Sequence, residues 1–283
     1  MDANADGGSR WIGPLCAVVG VLGFSFKAIL IKLAYAWHPV DAITLLTLRM
    51  LYAAPLFAVL AWWTGRGAAA PLAAADWRRL AWLGFVGYYL ASLLDFLGLV
   101  YVSAALERLV LFLYPTLVVL LSALLLGKPV TRRAVLALLV SYAGILLVFV
   151  HDLGTAGNPR DVLIGGALVF GSAVFYALYL VQSGPVIARL GALRFVAGAM
   201  LASTGFVVAQ FALTRDLGRL AVPPSIHGLS LAMAVFSTVL PVWLVAEAIR
   251  RIGANAASLI GALGPVFTMG LGALMLGEAV RPV

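Results

Sequence analysis

Apolar residues run along this chain in long blocks separated by short polar joints. Nine blocks stand out, at 11–36, 39–63, 79–101, 104–127, 133–150, 162–182, 192–213, 227–249 and 254–277. A helix needs about 20 mainly apolar residues to cross the hydrocarbon core of a bilayer. The period-two alternation of a barrel strand is absent. The pattern predicts an all-α polytopic membrane protein with nine visible spans. The block beginning at Trp11 is too long for the core of a secretory signal, so it reads as an uncleaved first span.

The chain also resembles itself. Residues 103–132 and 253–282 align without a gap and are identical at about ten of thirty positions, among them Pro115/Pro265, Gly127/Gly277 and Val130/Val280. A shared mid-span proline is harder to obtain by chance than a shared leucine. The first unit, residues 1–150, holds five spans. A polar linker follows at 151–161, and the second unit occupies 162–283. Five is odd, so the two units are expected to cross the membrane in opposite directions, the inverted-repeat plan of many secondary transporters. By analogy with the first unit, a tenth span is expected after Arg281. Its absence is expected to reflect a truncated chain.

Composition then narrows the function. The chain has 283 residues, 64% hydrophobic and 11% charged, too few charges to cover a soluble fold. The net charge of +8 would suggest nucleic acid in a soluble protein. Here it sorts by topology. With the N-terminus in the cytoplasm, Arg10, Arg66, Arg78, Arg79, Lys128, Arg132, Arg133, Arg189, Arg194, Arg250 and Arg251 fall inside. Lys32, Arg108, Arg160, Arg215, Arg219 and Arg281 fall outside. That bias favours a cytoplasmic N-terminus in a cell (inner) membrane. One cysteine, Cys16, and three scattered histidines make no metal site. Neither a nucleophile elbow nor a zinc-protease motif is present. We expect no cofactor, no metal, no nucleic-acid partner and no enzymatic activity.

Charges inside a span are costly and usually face a partner or a water-filled cavity. Lys27, Arg49 and Asp95 fall at similar depth on spans 1, 2 and 3. They are expected to surround one polar cavity that takes the carboxylate and ammonium groups of a zwitterion, with Asp95 as a possible carrier of a coupling proton. Arginine suits a carboxylate because its fork donates two parallel hydrogen bonds. The plainer reading is a static ion pair that fixes helix register. Glu107 and Arg108 open span 4, and for them the static reading is stronger. Tyr89, Tyr114 and Tyr176 are expected to line the cavity and stack an aromatic ligand. Pro115 and Pro265 are expected to bend their helices beside the transport path. Trp62, Trp63, Trp77 and Trp82 read as interfacial anchors, and the ladder Ala257, Gly261, Gly264, Thr268, Gly272 as a close-packing face.

These residues resemble a known family. Leu113-Tyr114-Pro115 through Leu126-Gly127-Lys128, and Leu263-Gly264-Pro265 through Leu276-Gly277-Glu278, are similar to a motif found once per half in the ten-helix, EamA-type branch of the drug/metabolite transporter superfamily. Gly23 to Leu33 and Leu48-Arg49-Met50 resemble its first two spans. Lys128 departs from the acid the family usually has there. The resemblance implies two inverted five-helix units around a central cavity, both termini cytoplasmic. It also implies export of small metabolites. Within the superfamily the likeness is to the YddG-type exporters of aromatic amino acids. A drug or nucleobase exporter of the same fold, and a non-transporting membrane scaffold, stand as alternatives. Oligomeric state is left open.

Overall fold

The computed structural model describes residues 5–66, 71–127 and 159–275. Every element among them is helical: α1 (Ala5–Trp37), α2 (Ala42–Arg66), α3 (Ala74–Tyr101), α4 (Ala104–Leu111), α5 (Tyr114–Leu126), α6 (Pro159–Leu190), α7 (Ala192–Thr214), α8 (Pro224–Ile260) and α9 (Gly264–Met275). Seven helices among the described residues are long and apolar enough to cross a membrane. The expected fifth span, 133–150, the expected tenth, Lys128 and the motif end at Gly277-Glu278 lie outside the described residues. The expected linker was too long by its last residues, because Pro159 to Asp161 already form the first turn of α6. Proline is well placed there, where its missing N–H has no helical partner to lose.

The helices pack in pairs that mirror each other across the two halves. α1 packs on α8 and α3 on α6, while α2 lies against α7. The pairs are antiparallel. Asp76 at the start of α3 pairs with Arg189 at the end of α6, and Gly165 near the start of α6 packs on Tyr101 and Val102 where α3 ends. Gly13 near the start of α1 lies against Arg251 and Ile252 of α8. Since α1 and α3 run the same way, α6 and α8 run opposite to their counterparts. The inversion expected from an odd number of spans is therefore built into these contacts.

Small residues let the backbones approach. A Cβ on Gly23 of α1 would collide with the Pro241 ring and the Phe236 carbonyl of α8. Outward, the bundle is apolar: Leu124, Leu213 and Leu274 are at least four-fifths exposed, which is the surface a lipid-facing helix needs. Trp62, Trp63, Trp77 and Trp82 are exposed around one end of the bundle, and Arg66 sits 3.8 Å over the Trp62 ring. That is the amphipathic belt expected at an interface.

α8 is divided at Gly253, whose φ of +79 is not helical; besides that break, four irregularities alter the helical pattern, and they come in pairs 150 residues apart. α3 is π-helical over Gly84–Leu90 and α8 over Val235–Val239. α4 gives way to α5 at Phe112 and Leu113, and a short 3-10 turn, Gly261–Leu263, precedes α9. Pro115 and Pro265 each stand second in the helix that follows the break. Phe112 and Leu113 keep right-handed helical torsions, so the chain tightens there rather than unwinding. The proline then opens a new helix, where its lost N–H costs nothing.

Candidate functional site

The four irregularities meet at one place. Gly87 and Tyr88, Phe112, Ser237 and Thr238, and Gly261 all line one central space of about 90 Å³. Local departures from α-helical hydrogen bonding of this kind, π-turns above all, are frequent at functional sites. Extra residues in a π-turn also rotate the helix face, and here they turn Tyr88 and Thr238 inward.

Three cations border the space, each held differently. Lys27 of α1 lines the cavity and reaches back to Asp95 of α3, Nζ to Oδ2 at 2.7 Å. Arg49 of α2 is buried and also lines the space. Its Nη2 donates to the Ser92 hydroxyl at 3.1 Å, its guanidinium lies 4.9 Å from the Phe96 ring centre, and its Nε has no partner. Arg108 of α4 donates from Nη2 to the Phe24 carbonyl at 2.7 Å. Its Nε lies 3.7 Å from the Glu107 carboxylate. Lys27, Arg49 and Asp95 thus converge from three helices, as their equal depths suggested. Asp95, however, is fully buried behind Lys27 and does not line the space.

Tyrosines make the facing wall. Tyr114 and Tyr176 stack edge to face with centroids 5.3 Å apart, and both line the cavity. Tyr176 continues onto Tyr179, whose hydroxyl bonds the Tyr88 hydroxyl at 2.5 Å. Two glycines make this wall fit. A Cβ on Gly261 would overlap the Tyr114 hydroxyl, and one on Gly87 would overlap the Tyr179 ring. The expected ladder glycine Gly261 is thus a close approach between the halves, one half supplying the phenol and the other the gap. Tyr89 stands elsewhere. It packs against Phe85 and Phe206 on the outer side of α3, beside the half-exposed Trp82. Its neighbour Tyr88 is the inward residue.

Sequence reasoning missed a set of small hydroxyls. Ser92, Ser172, Ser237, Thr238 and Ser258 line the space. A lone serine in an apolar helix commonly bonds its own backbone. Ser237 does so to the Met233 carbonyl at 3.0 Å and Ser258 to that of Asn255 at 2.8 Å. Nothing in their spacing marked them. Toward the end of the bundle where α1 begins, a wide vestibule opens, lined by Ile12, Cys16, Asp76, Arg189 and Glu247. Among the described residues no group of His, Cys, Asp or Glu is arranged to hold a metal ion.

Two inverted sets of interrupted helices around a polar central space define a polytopic membrane protein of transporter architecture. The chain belongs to the EamA-like transporter family, whose model matches it twice, over residues 11–150 and 163–283. It is 32% identical over 276 residues to the uncharacterized transporter YcbK of Bacillus subtilis (strain 168), covering 94% of this chain and 86% of that protein. It is 27% identical over 188 residues to the uncharacterized transporter YyaM of the same organism, covering 66% of this chain and 62% of that one. A solved crystal structure shares the fold, with a TM-score of 0.68 at 19% identity, covering 98% of this chain and 90% of the other. The chain is a multi-pass membrane transporter of the drug/metabolite transporter superfamily.

Proposed function

We propose that this transporter exports small zwitterionic metabolites, aromatic or other amino acids first among them, by alternating access across a cell membrane with its N-terminus in the cytoplasm. The observation that carries the reading is Arg49. Its guanidinium is buried, borders the central space and keeps one N–H without a partner. A buried donor left unpaired costs about 1–3 kcal/mol, and a substrate carboxylate would relieve that cost. Lys27 and Arg108 reinforce the positive wall. The Tyr88–Tyr179–Tyr176–Tyr114 chain supplies ring faces for an aromatic side chain and hydroxyls for an ammonium group. Asp95, paired with Lys27, belongs to the same site as a candidate for proton coupling.

The test is uptake into proteoliposomes of radiolabelled amino acids, nucleobases and organic cations, with and without a pH gradient. We expect amino-acid uptake that Arg49→Gln lowers at least tenfold. Uptake confined to nucleobases or cations would replace this reading with a drug or nucleobase exporter. No uptake of any solute would favour a scaffold.

A further inference from the structure

The charged groups that border the central space are all of one sign. Lys27, Arg49 and Arg108 line it, and among the described residues no aspartate or glutamate does. Asp95 and Glu107 are buried outside that lining. Asp95 holds Lys27 at 2.7 Å, and a Glu107 oxygen lies 3.7 Å from the Arg108 Nε. Even with both acids counted as ionised, three cations leave one positive charge in excess. Arg49 and Arg108 each keep a buried Nε without a hydrogen-bond partner. The wall offers an ammonium group no charge of opposite sign.

The remaining polar lining is neutral. Tyr88, Tyr114, Tyr176 and Ser172 contribute hydroxyls, and a hydroxyl both donates and accepts. Such groups serve an oxo or hydroxyl oxygen as readily as an ammonium. A carboxylate meets charge-assisted donors here, roughly twice as strong as neutral ones. An ammonium meets neutral acceptors beside like charges, and burying a charge without a counter-charge is costly. We propose that the central site selects its substrates by the carboxylate and gives no preference to the ammonium. Oxo acids, hydroxy acids and simple carboxylates then belong to its substrate class together with the amino acids.

The inference deepens the transport reading and rests on Arg49 as the anchor of the carboxylate. The approach to the site has the same sign. Arg189, Arg194, Arg250 and Arg251 line the vestibule against Asp76 and Glu247. Basic residues also mark the cytoplasmic face of membrane proteins, but their field acts whatever its origin. A cleft lined by one sign of charge raises the local concentration of the opposite ion. An anion is therefore gathered at the vestibule and held at the central wall, whereas an organic cation is disfavoured at both.

Equilibrium binding to the purified full chain in lipid nanodiscs tests this with wild-type protein, so no variant has to fold. The probes are two matched sets: phenylalanine, phenylpropionate and phenylethylamine, then alanine, propionate and ethylamine. Within a set that binds, the simple carboxylate should bind more tightly than the amino acid or within about tenfold of it, and the amine at least about tenfold more weakly than the carboxylate. A carboxylate weaker than that shows that the ammonium is read, and overturns the proposal. An amine that comes closer to the carboxylate overturns it too, as does binding of no probe. Proteoliposome uptake of the same probes separates the two readings. Uptake of an amino acid with exclusion of its simple carboxylate sinks this inference and leaves amino-acid transport standing. Uptake of the carboxylate with exclusion of the amino acid does the reverse.

Discussion

At the scale of single residues, the cavity separates groups that hold the wall from groups that are free to act. Lys27 is tied to Asp95 and Arg108 to a backbone carbonyl, whereas Arg49 retains an unpaired Nε. Arg49→Lys should therefore fail as a conservative change. A lysine keeps the charge but loses the fork that donates to Ser92 and to a ligand at once. Charge-assisted hydrogen bonds contribute about 1.5–3 kcal/mol, so the variant should bind ligand roughly 10- to 100-fold more weakly while its melting temperature stays near wild type. Equal affinity would remove Arg49 from the site. Tyr88→Phe strips one partner from a buried phenol pair and leaves the Tyr179 hydroxyl without its bond. The expected cost is about 1 kcal/mol of stability, readable as a small fall in thermal midpoint.

The choice between Tyr88 and Tyr89 shows where sequence reading stops. Both lie on the same span, and a regular 3.6-residue period gives no reason to expect a π-turn over Gly84–Leu90. The extra residue in that turn decides which tyrosine faces inward, and no local residue announces it. Lys27 and Asp95 were legible because depth along opposite or parallel spans is simple counting. The serines were not, because a hydroxyl facing a cavity and one bonded to its own helix look alike in sequence.

At the scale of elements, the two halves share a plan and differ in how they cap it. Asp41 precedes α2 and Gly191 precedes α7, in equivalent places of the repeat; Ser103 and Gly253 stand likewise before α4 and the last stretch of α8. In the first half the caps are side chains. Asp41 Oδ1 accepts from the N–H groups of Ile43 and Thr44, at 3.1 and 3.2 Å, and the Ser103 hydroxyl accepts from the Leu106 N–H at 3.1 Å. In the second half they are glycines at φ +79. With ψ of 154 and 162, that backbone region is essentially closed to side chains. Exchanging the caps should therefore be asymmetric. Ser103→Gly should cost only a few tenths of a kcal/mol, while Gly253→Ser should cost about 1–3 kcal/mol of strain. Thermal unfolding in detergent compares them; equal losses would mean that α8 relaxes around Gly253.

Asp41 adds a pH dependence at this scale. Burial raises its carboxyl's proton affinity, but hydrogen bonds from Thr44 and the Arg215 guanidinium at 3.2 Å outweigh it and hold the group below the usual carboxylate range. A depressed value in the folded state contributes stability that is full above the ordinary carboxylate pKa and lost as the pH falls through the depressed one. Asp41→Asn retains the cap and loses the ion pair. It should flatten the acid limb of the stability profile and change little at pH 7, since a half-exposed pair is worth little there.

At the scale of the whole molecule, the two ends of the bundle differ. At the end where α1 finishes, Asp41 pairs with Arg215, and the Tyr52 hydroxyl bonds the His227 ring at 2.9 Å. At the other end the vestibule is open, although Asp76 still pairs with Arg189 and Glu247 with Arg250 and Arg251. Cys16, the chain's single cysteine, lines that vestibule and is partly exposed. It reports on both orientation and state. With the N-terminus cytoplasmic, a membrane-impermeant maleimide should label wild-type protein in inside-out vesicles and spare it in intact cells, with Cys16→Ser as the unlabelled control. Labelling from the outside alone would reverse the orientation. A transported solute that draws the vestibule shut should slow labelling at concentrations near those that half-saturate uptake. A solute that is carried yet leaves the Cys16 rate unchanged would mean that this vestibule does not close in the transport cycle.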